Sequence, residues 1–205
     1  MSKSISKEKL LVNTLTALRL PFTVMGIFSL YHYGRSADCR WITLFAVISL
    51  AVYFSDFMDG RLARRWGLCS DGGAKLDLFC DSFYIFASLL AMIPLGASSP
   101  CILVLVSYKL LEFIVTSTIK RKFFTGATFF FYDKIGRILS ALFYVSPPIL
   151  LILHAMAPLY WKSILNGYTT LLAGLTVVSS WAKLENMKIS FGCLVGMMRR
   201  ESGSV

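Results

Sequence analysis

Ser55 to Ser82 reads SDFMDGRLARRWGLCSDGGAKLDLFCDS and holds five of the chain's eleven acidic residues: Asp56, Asp59, Asp71, Asp77 and Asp81. Apolar runs too long for an ordinary soluble domain flank it on both sides. A carboxylate at membrane depth costs roughly 2.5 to 3.5 kcal/mol even on the lenient insertion scale, so the group demands compensation. Asp56 and Asp59 are three apart at the end of one apolar run, and Asp77 and Asp81 are four apart at the start of the next. Each pair therefore lies on one face of its own helix, and two helices can aim two carboxylates each at one point. The stretch Gly60 to Gly73, rich in small and basic residues, is expected to carry the chain from one helix to the other. Oxygen ligands without His or Cys suit hard divalent ions, Mg²⁺ or Mn²⁺ over Zn²⁺. Such ions bind phosphate oxygens, and Arg64 and Arg65 beside them suit a pyrophosphate.

Outward from this stretch, the 205 residues are 56% hydrophobic and 16% charged, the composition of a membrane protein. One helical domain accounts for the length. Residues 1–12, with Lys3, Lys7 and Lys9 among serines, read as an N-terminal interfacial segment; Asn13, Arg19 and Pro21 break the next apolar run, unlike the core of a cleaved signal peptide. Residues 13–182 then supply six transmembrane helices, near 15–31, 41–57, 75–94, 101–119, 135–153 and 161–182, with Pro147 and Pro148 inside the fifth. Residues 183–205 form a cytoplasmic tail, surface-lying or disordered. The fold class expected is all-α, polytopic and integral to the cell or inner membrane.

Six spans put both termini on one side, and most of the 21 Lys and Arg residues fall there, in the N-terminal segment, Arg61 to Lys75, Lys120 to Arg137, and the tail. Only Arg35, Arg40 and Lys162 fall opposite. The positive-inside rule places the termini and the acidic stretch on the cytoplasmic side. The net charge of +10 is then mostly orientation and attraction to anionic headgroups, which leaves no basic surface for a nucleic acid. Arg19 lies on one face of the first span with Thr16; it either meets an acid or phosphate or snorkels to the surface. Lys109 and Glu112, three apart, pair on one helix face. Five scattered cysteines without a Cys-x-x-Cys pair argue against a disulfide framework or a zinc site. Cys80 is expected in packing, Asp71 as a loop charge or cap, and His32 and His154 at the outer surface.

Written as Asp56-x-x-Asp59-Gly60-x-x-Ala63-Arg64, eight further residues, then Gly73-x-x-x-Asp77-x-x-x-Asp81, the stretch resembles the signature of the CDP-alcohol phosphotransferase family at every specified position and interval. The resemblance implies metal-dependent phospholipid biosynthesis in which a phosphatidyl group passes from CDP-diacylglycerol, or a similar CDP-alcohol, to a small alcohol, releasing CMP. It implies two divalent cations, Mg²⁺ or Mn²⁺, held by Asp56, Asp59, Asp77 and Asp81, with Asp81 as general base. The donor would lie at Gly60, Ala63, Arg64 and Gly73, and the enzyme would be a homodimer among membrane lipids.

Asn13-x-x-Thr16-x-x-Arg19 and Glu112-Phe113-x-Val115-Thr116 are similar to segments of phosphatidylglycerophosphate synthases, whose acceptor is glycerol 3-phosphate. Arg19, Lys120, Arg121, Lys134 and Arg137 then become candidates to hold an acceptor phosphate. Leu111 and Ser82 depart from that subfamily, which commonly has Arg and Lys there, so serine, inositol phosphate and other alcohols stay open as acceptors. Two readings of another class remain beside the enzyme: an ion-coupled transporter, since intramembrane carboxylates mark cation pathways, and a non-catalytic scaffold.

Overall fold

The computed structural model describes residue 10 and residues 12–67, 71–123 and 134–202, with side chains described except at 71, 120–123, 134, 186 and 188–202. All regular structure in these residues is α-helical. Residues 12–17 are helical and, after a turn at Leu18, lead into α1 (Arg19–Ser36). Beyond it come α2 (Cys39–Arg65), α3 (Asp71–Met92), α4 (Pro100–Phe123), α5 (Lys134–Met156) and α6 (Trp161–Ser202).

Local chemistry sets the boundaries. Asp38 caps α2 by accepting a hydrogen bond from the Arg40 backbone N–H at 2.9 Å. Gly67 (φ 64°) ends the same helix in the left-handed region that a residue with a Cβ avoids. Gly96 (φ 70°) makes the equivalent turn between α3 and α4, inside the expected turn Gly96 to Pro100. Pro147 and Pro148 stand inside α5 without interrupting its assignment.

Among the described residues, four helices are long and apolar enough to cross a membrane: Val12–Ser36, Cys39–Arg65, Pro100–Ile119 and Ile135–Met156. Against the expected six, α3 carries Lys75, Asp77 and Asp81, and α6 is diluted by Asn166 and a series of Ser, Thr and Gly residues. Large apolar side chains, among them Val24, Leu50, Phe54, Leu90, Val104 and Val177, are exposed around the bundle. A surface so apolar is stable against lipid tails, not water. The protein is therefore an all-α membrane protein.

Two boundaries differ from the sequence reading. Gly60 to Gly73 is not a connecting segment: α2 continues through Arg65 and α3 starts at Asp71, because Arg61, Leu62, Ala63, Arg64 and Arg65 are good helix formers and outweigh Gly60. Nor does a separate tail begin at Lys183, since α6 is helical without a break to Ser202. The expected interfacial segment falls largely outside the described residues. Lys120 and Arg121 lie on the last turns of α4 and Lys134 starts α5, with their side chains outside the described set.

The helices pack α1 on α2 and α3, α3 on α4 and α5, α2 on α5, and α6 on α4 and α5. The core centres on Leu30, Phe45, Leu89, Met92, Leu151 and Trp161. At the end of the bundle away from the acidic stretch, Trp161 Nε1 donates to the Gly96 carbonyl at 2.6 Å and ties α6 to the α3–α4 turn. Lipid is as apolar as these side chains, so close packing rather than transfer from water holds the helices together. A Cβ on Gly26 would sit 3.3 Å from the Phe45 ring, which is what lets α1 approach α2. Gly26→Val is expected to lower stability by about 1 to 3 kcal/mol through overpacking. Gly167→Ala, where a Cβ meets nothing within 4 Å, is expected to leave it unchanged or slightly raised. Thermal unfolding in detergent compares the two.

Candidate active site

Because α2 is helical through Arg65, Asp56, Asp59, Gly60, Ala63 and Arg64 fall at i, i+3, i+4, i+7 and i+8 and share one face. Gly73, Asp77 and Asp81 fall at i, i+4 and i+8 on α3. The intervals of the signature are thus the repeats of two helices, the last turns of one facing the first turns of the next.

What the carboxylates face is Arg19, from the first turn of α1. Its side chain has 0% exposure, and its guanidinium bonds all four signature acids. Nη1 donates to Asp77 Oδ1 at 2.8 Å and to Asp81 Oδ1 at 2.5 Å. Nη2 donates to Asp59 and pairs with Asp56 Oδ1 at 3.1 Å. Asp59, the most buried of the four, also accepts from the Thr16 hydroxyl at 2.6 Å. Ser55 Oγ donates to the Leu15 carbonyl at 2.8 Å and fixes the segment before α1 against α2. Of the two readings for Arg19, the structure selects the acid partner: the residue does not snorkel. Thr16 belongs to the site through the same three-residue spacing that puts it on the face of Arg19.

The donor set suits a hard divalent cation. Asp56, Asp59 and Asp77 each offer an oxygen, all within 4.8 Å of one another. Asp81 joins them through Arg19 and also lines a cavity of about 400 Å³, shared with Asp56, Ser82, Lys109, Ser140 and Tyr144. A Cβ at Gly60 would meet only Arg64 Nη2, at 3.8 Å, so no packing among the described residues requires glycine there.

One turn from the carboxylates, Tyr53, Tyr84 and Tyr144 form a cluster that the sequence pattern did not reveal. Tyr53 Oη lies 3.1 Å from Tyr84 Oη and donates to the Tyr144 carbonyl at 3.1 Å. The rings of Tyr53 and Tyr144 are 4.9 Å apart, and those of Tyr84 and Tyr144 are 5.4 Å apart. The signal was Tyr53 and Tyr84 at three residues before Asp56 and three after Asp81. Cys80 is buried in packing, as expected.

The remaining candidates divide. Arg137 is exposed near the start of α5, on the face that continues through Ser140 and Tyr144 to the cavity. Lys109 pairs with Glu112 at 2.8 Å, as the spacing indicated. The pair is also bridged to α6: Lys109 donates to Ser179 at 2.8 Å, Ser180 donates to Glu112 at 2.8 Å, and Lys183 Nζ lies 3.4 Å from Glu112. His32 stacks on Trp41 and His154 packs edge-on to Trp161, each near the helix ends opposite the carboxylates.

A sequence profile described as CDP-alcohol phosphatidyltransferase matches residues 9–182, and the chain belongs to that family. It is 30% identical over 86 residues, 42% of this chain, to a protein of Mycobacterium tuberculosis named probable phosphatidylglycerophosphate synthase. It is also 30% identical over 115 residues, 56% of this chain, to a protein of Cereibacter sphaeroides named CDP-diacylglycerol--glycerol-3-phosphate 3-phosphatidyltransferase. The chain spans about half the length of these relatives or less, 41% of the first and 50% of the second.

Thr16→Val keeps the side chain's size and removes the hydroxyl from Asp59. A hydrogen bond to a charged group contributes about 1.5 to 3 kcal/mol. The variant is expected to lose about that much stability, read by denaturant or thermal unfolding in detergent.

Proposed function

We propose that this protein transfers a phosphatidyl group from CDP-diacylglycerol, or a closely similar CDP-alcohol, to a small hydroxyl acceptor, with glycerol 3-phosphate the leading candidate. The observation that carries this reading is the convergence of Asp56, Asp59, Asp77 and Asp81 from two helices on one point at the wall of a cavity. Family membership supports the donor class, and the names of the two relatives support the acceptor.

Asp56, Asp59 and Asp77, with Asp81, would hold two divalent cations, Mg²⁺ or Mn²⁺, which neutralise the donor diphosphate and polarise its phosphorus–oxygen bonds. Gly60 and Ala63 leave room on α2 for the cytidine diphosphate to lie close, and Gly73 does so on α3. Arg64, one turn from Gly60, offers its guanidinium to the diphosphate. Asp81, on the cavity wall, accepts the proton of the acceptor hydroxyl as its oxygen attacks the diacylglycerol-linked phosphorus. The new oxygen–phosphorus bond forms as the bond to CMP breaks, and CMP leaves with the electron pair. Arg137 and the neighbouring Lys120, Arg121 and Lys134 are assigned to the acceptor phosphate, and Arg19 to the carboxylates.

The helices carrying the site enter it from the side rich in Lys and Arg, which supports a cytoplasmic site, cytoplasmic termini and six spans, α3 and α6 included. A homodimer is implied by the family resemblance. An ion-coupled carrier is disfavoured because the described membrane carboxylates gather at one helix end; beyond them Glu112 is engaged by Lys109 and Lys183.

Purified protein given CDP-diacylglycerol, Mg²⁺ or Mn²⁺ and glycerol 3-phosphate is expected to release CMP and form the phosphatidyl product, identified by mass. A chelator should abolish the release, and Asp81→Asn should lower it by roughly 10² to 10⁴-fold. Transport of cations without CMP release would reject the reading. Gly60→Ala is expected to leave thermal stability equal or higher by up to about 1 kcal/mol while lowering turnover, because only the bound nucleotide needs the space.

A further inference from the structure

Arg19 occupies the place where the four carboxylates need positive charge. Its guanidinium has no exposure and reaches Asp56, Asp59, Asp77 and Asp81 together. One positive charge faces four negative ones, so the cluster keeps a large unneutralised excess of negative charge. The guanidinium itself is incompletely satisfied: Arg19 Nε is buried with no hydrogen-bond partner among the described residues. An arginine built only to stabilise the bundle would be expected to use that donor, since a buried unpaired N–H is costly. The oxygens it engages on Asp56, Asp59 and Asp77 belong to the three residues able to share one cation.

We infer that Arg19 is the site's own counter-cation: it holds the four carboxylates in place without divalent ions, and those ions compete with it for the same oxygens. This rests on the metal-dependent reading above and adds a positioning residue to it. Arg19 keeps like charges from driving α2 and α3 apart before the ions arrive, and it weakens ion binding by the strength of its own ion pairs. Thr16, which holds Asp59 independently of Arg19, preserves one fixed point of the site when the guanidinium moves.

The test uses the full chain in detergent, stripped of metal by chelation, with Mn²⁺ alone as the probe. Binding is read from the electron paramagnetic resonance signal of free Mn²⁺, and stability from thermal unfolding. Arg19→Gln is expected to bind Mn²⁺ roughly tenfold tighter than wild type. It should melt lower in chelator and regain more stability on adding Mn²⁺. Unchanged or weaker Mn²⁺ affinity in Arg19→Gln overturns the inference. If that variant does not fold in chelator but folds with Mn²⁺, the inference is supported. If it folds in neither condition, Arg19→Lys decides: one ammonium cannot fork between four carboxylates, so severalfold tighter Mn²⁺ binding supports competition and unchanged binding overturns it. Failure of the functional reading looks different, with Mn²⁺ bound and competition intact but no CMP released. Absence of Mn²⁺ binding in every form would overturn both.

Discussion

The site depends on the pairing of one buried guanidinium with four carboxylates at the edge of a membrane bundle. Neither partner is tolerable there alone. An arginine with no exposure and no acid would carry an uncompensated charge in a low-dielectric interior, and four carboxylates with no cation would repel one another over a few ångströms. Together they draw the beginning of α1, the end of α2 and the beginning of α3 to a single point. Packing then extends outward from that point, with α5 closing on α2 and α3.

The position of this cluster along the helices is as informative as its composition. It lies in the last turns of α2 and the first half of α3, toward one end of the bundle. The tyrosines one turn away pack against one another beside it. At the other end, Trp161 and Gly96 tie the helices by a hydrogen bond that involves no charge. The bundle is held by side-chain ion pairs at one end and by packing and a neutral hydrogen bond at the other.

Much of this was legible in residue spacing. Three- and four-residue intervals between acids can be read as helix faces without coordinates, and Lys109 with Glu112 obeys the same rule. Where reading failed, non-local contact or helix continuity was responsible. Gly60 and the basic residues after it look like a linker by composition, yet helix propensity carries α2 through them. The cavity wall draws on α2, α3, α4 and α5, from Asp56 to Tyr144, a set that no local pattern encodes. Arg19 could be placed on the same face as Thr16 but not given a partner, since its acids lie 37 to 62 residues away.

From residues alone came the membrane class, the all-α character, the signature and its family, and the pairing of acids on two helix faces. The family came from the motif's resemblance to a known signature, while the others rest on composition and short-range periodicity, which are properties of neighbours along the chain. Only the tertiary structure decided that Arg19 turns inward to meet all four acids, that Thr16 supports Asp59, and that three tyrosines cluster beside the site. Those outcomes depend on which helix ends come together, and that is settled by the balance of charge burial and packing across the whole bundle.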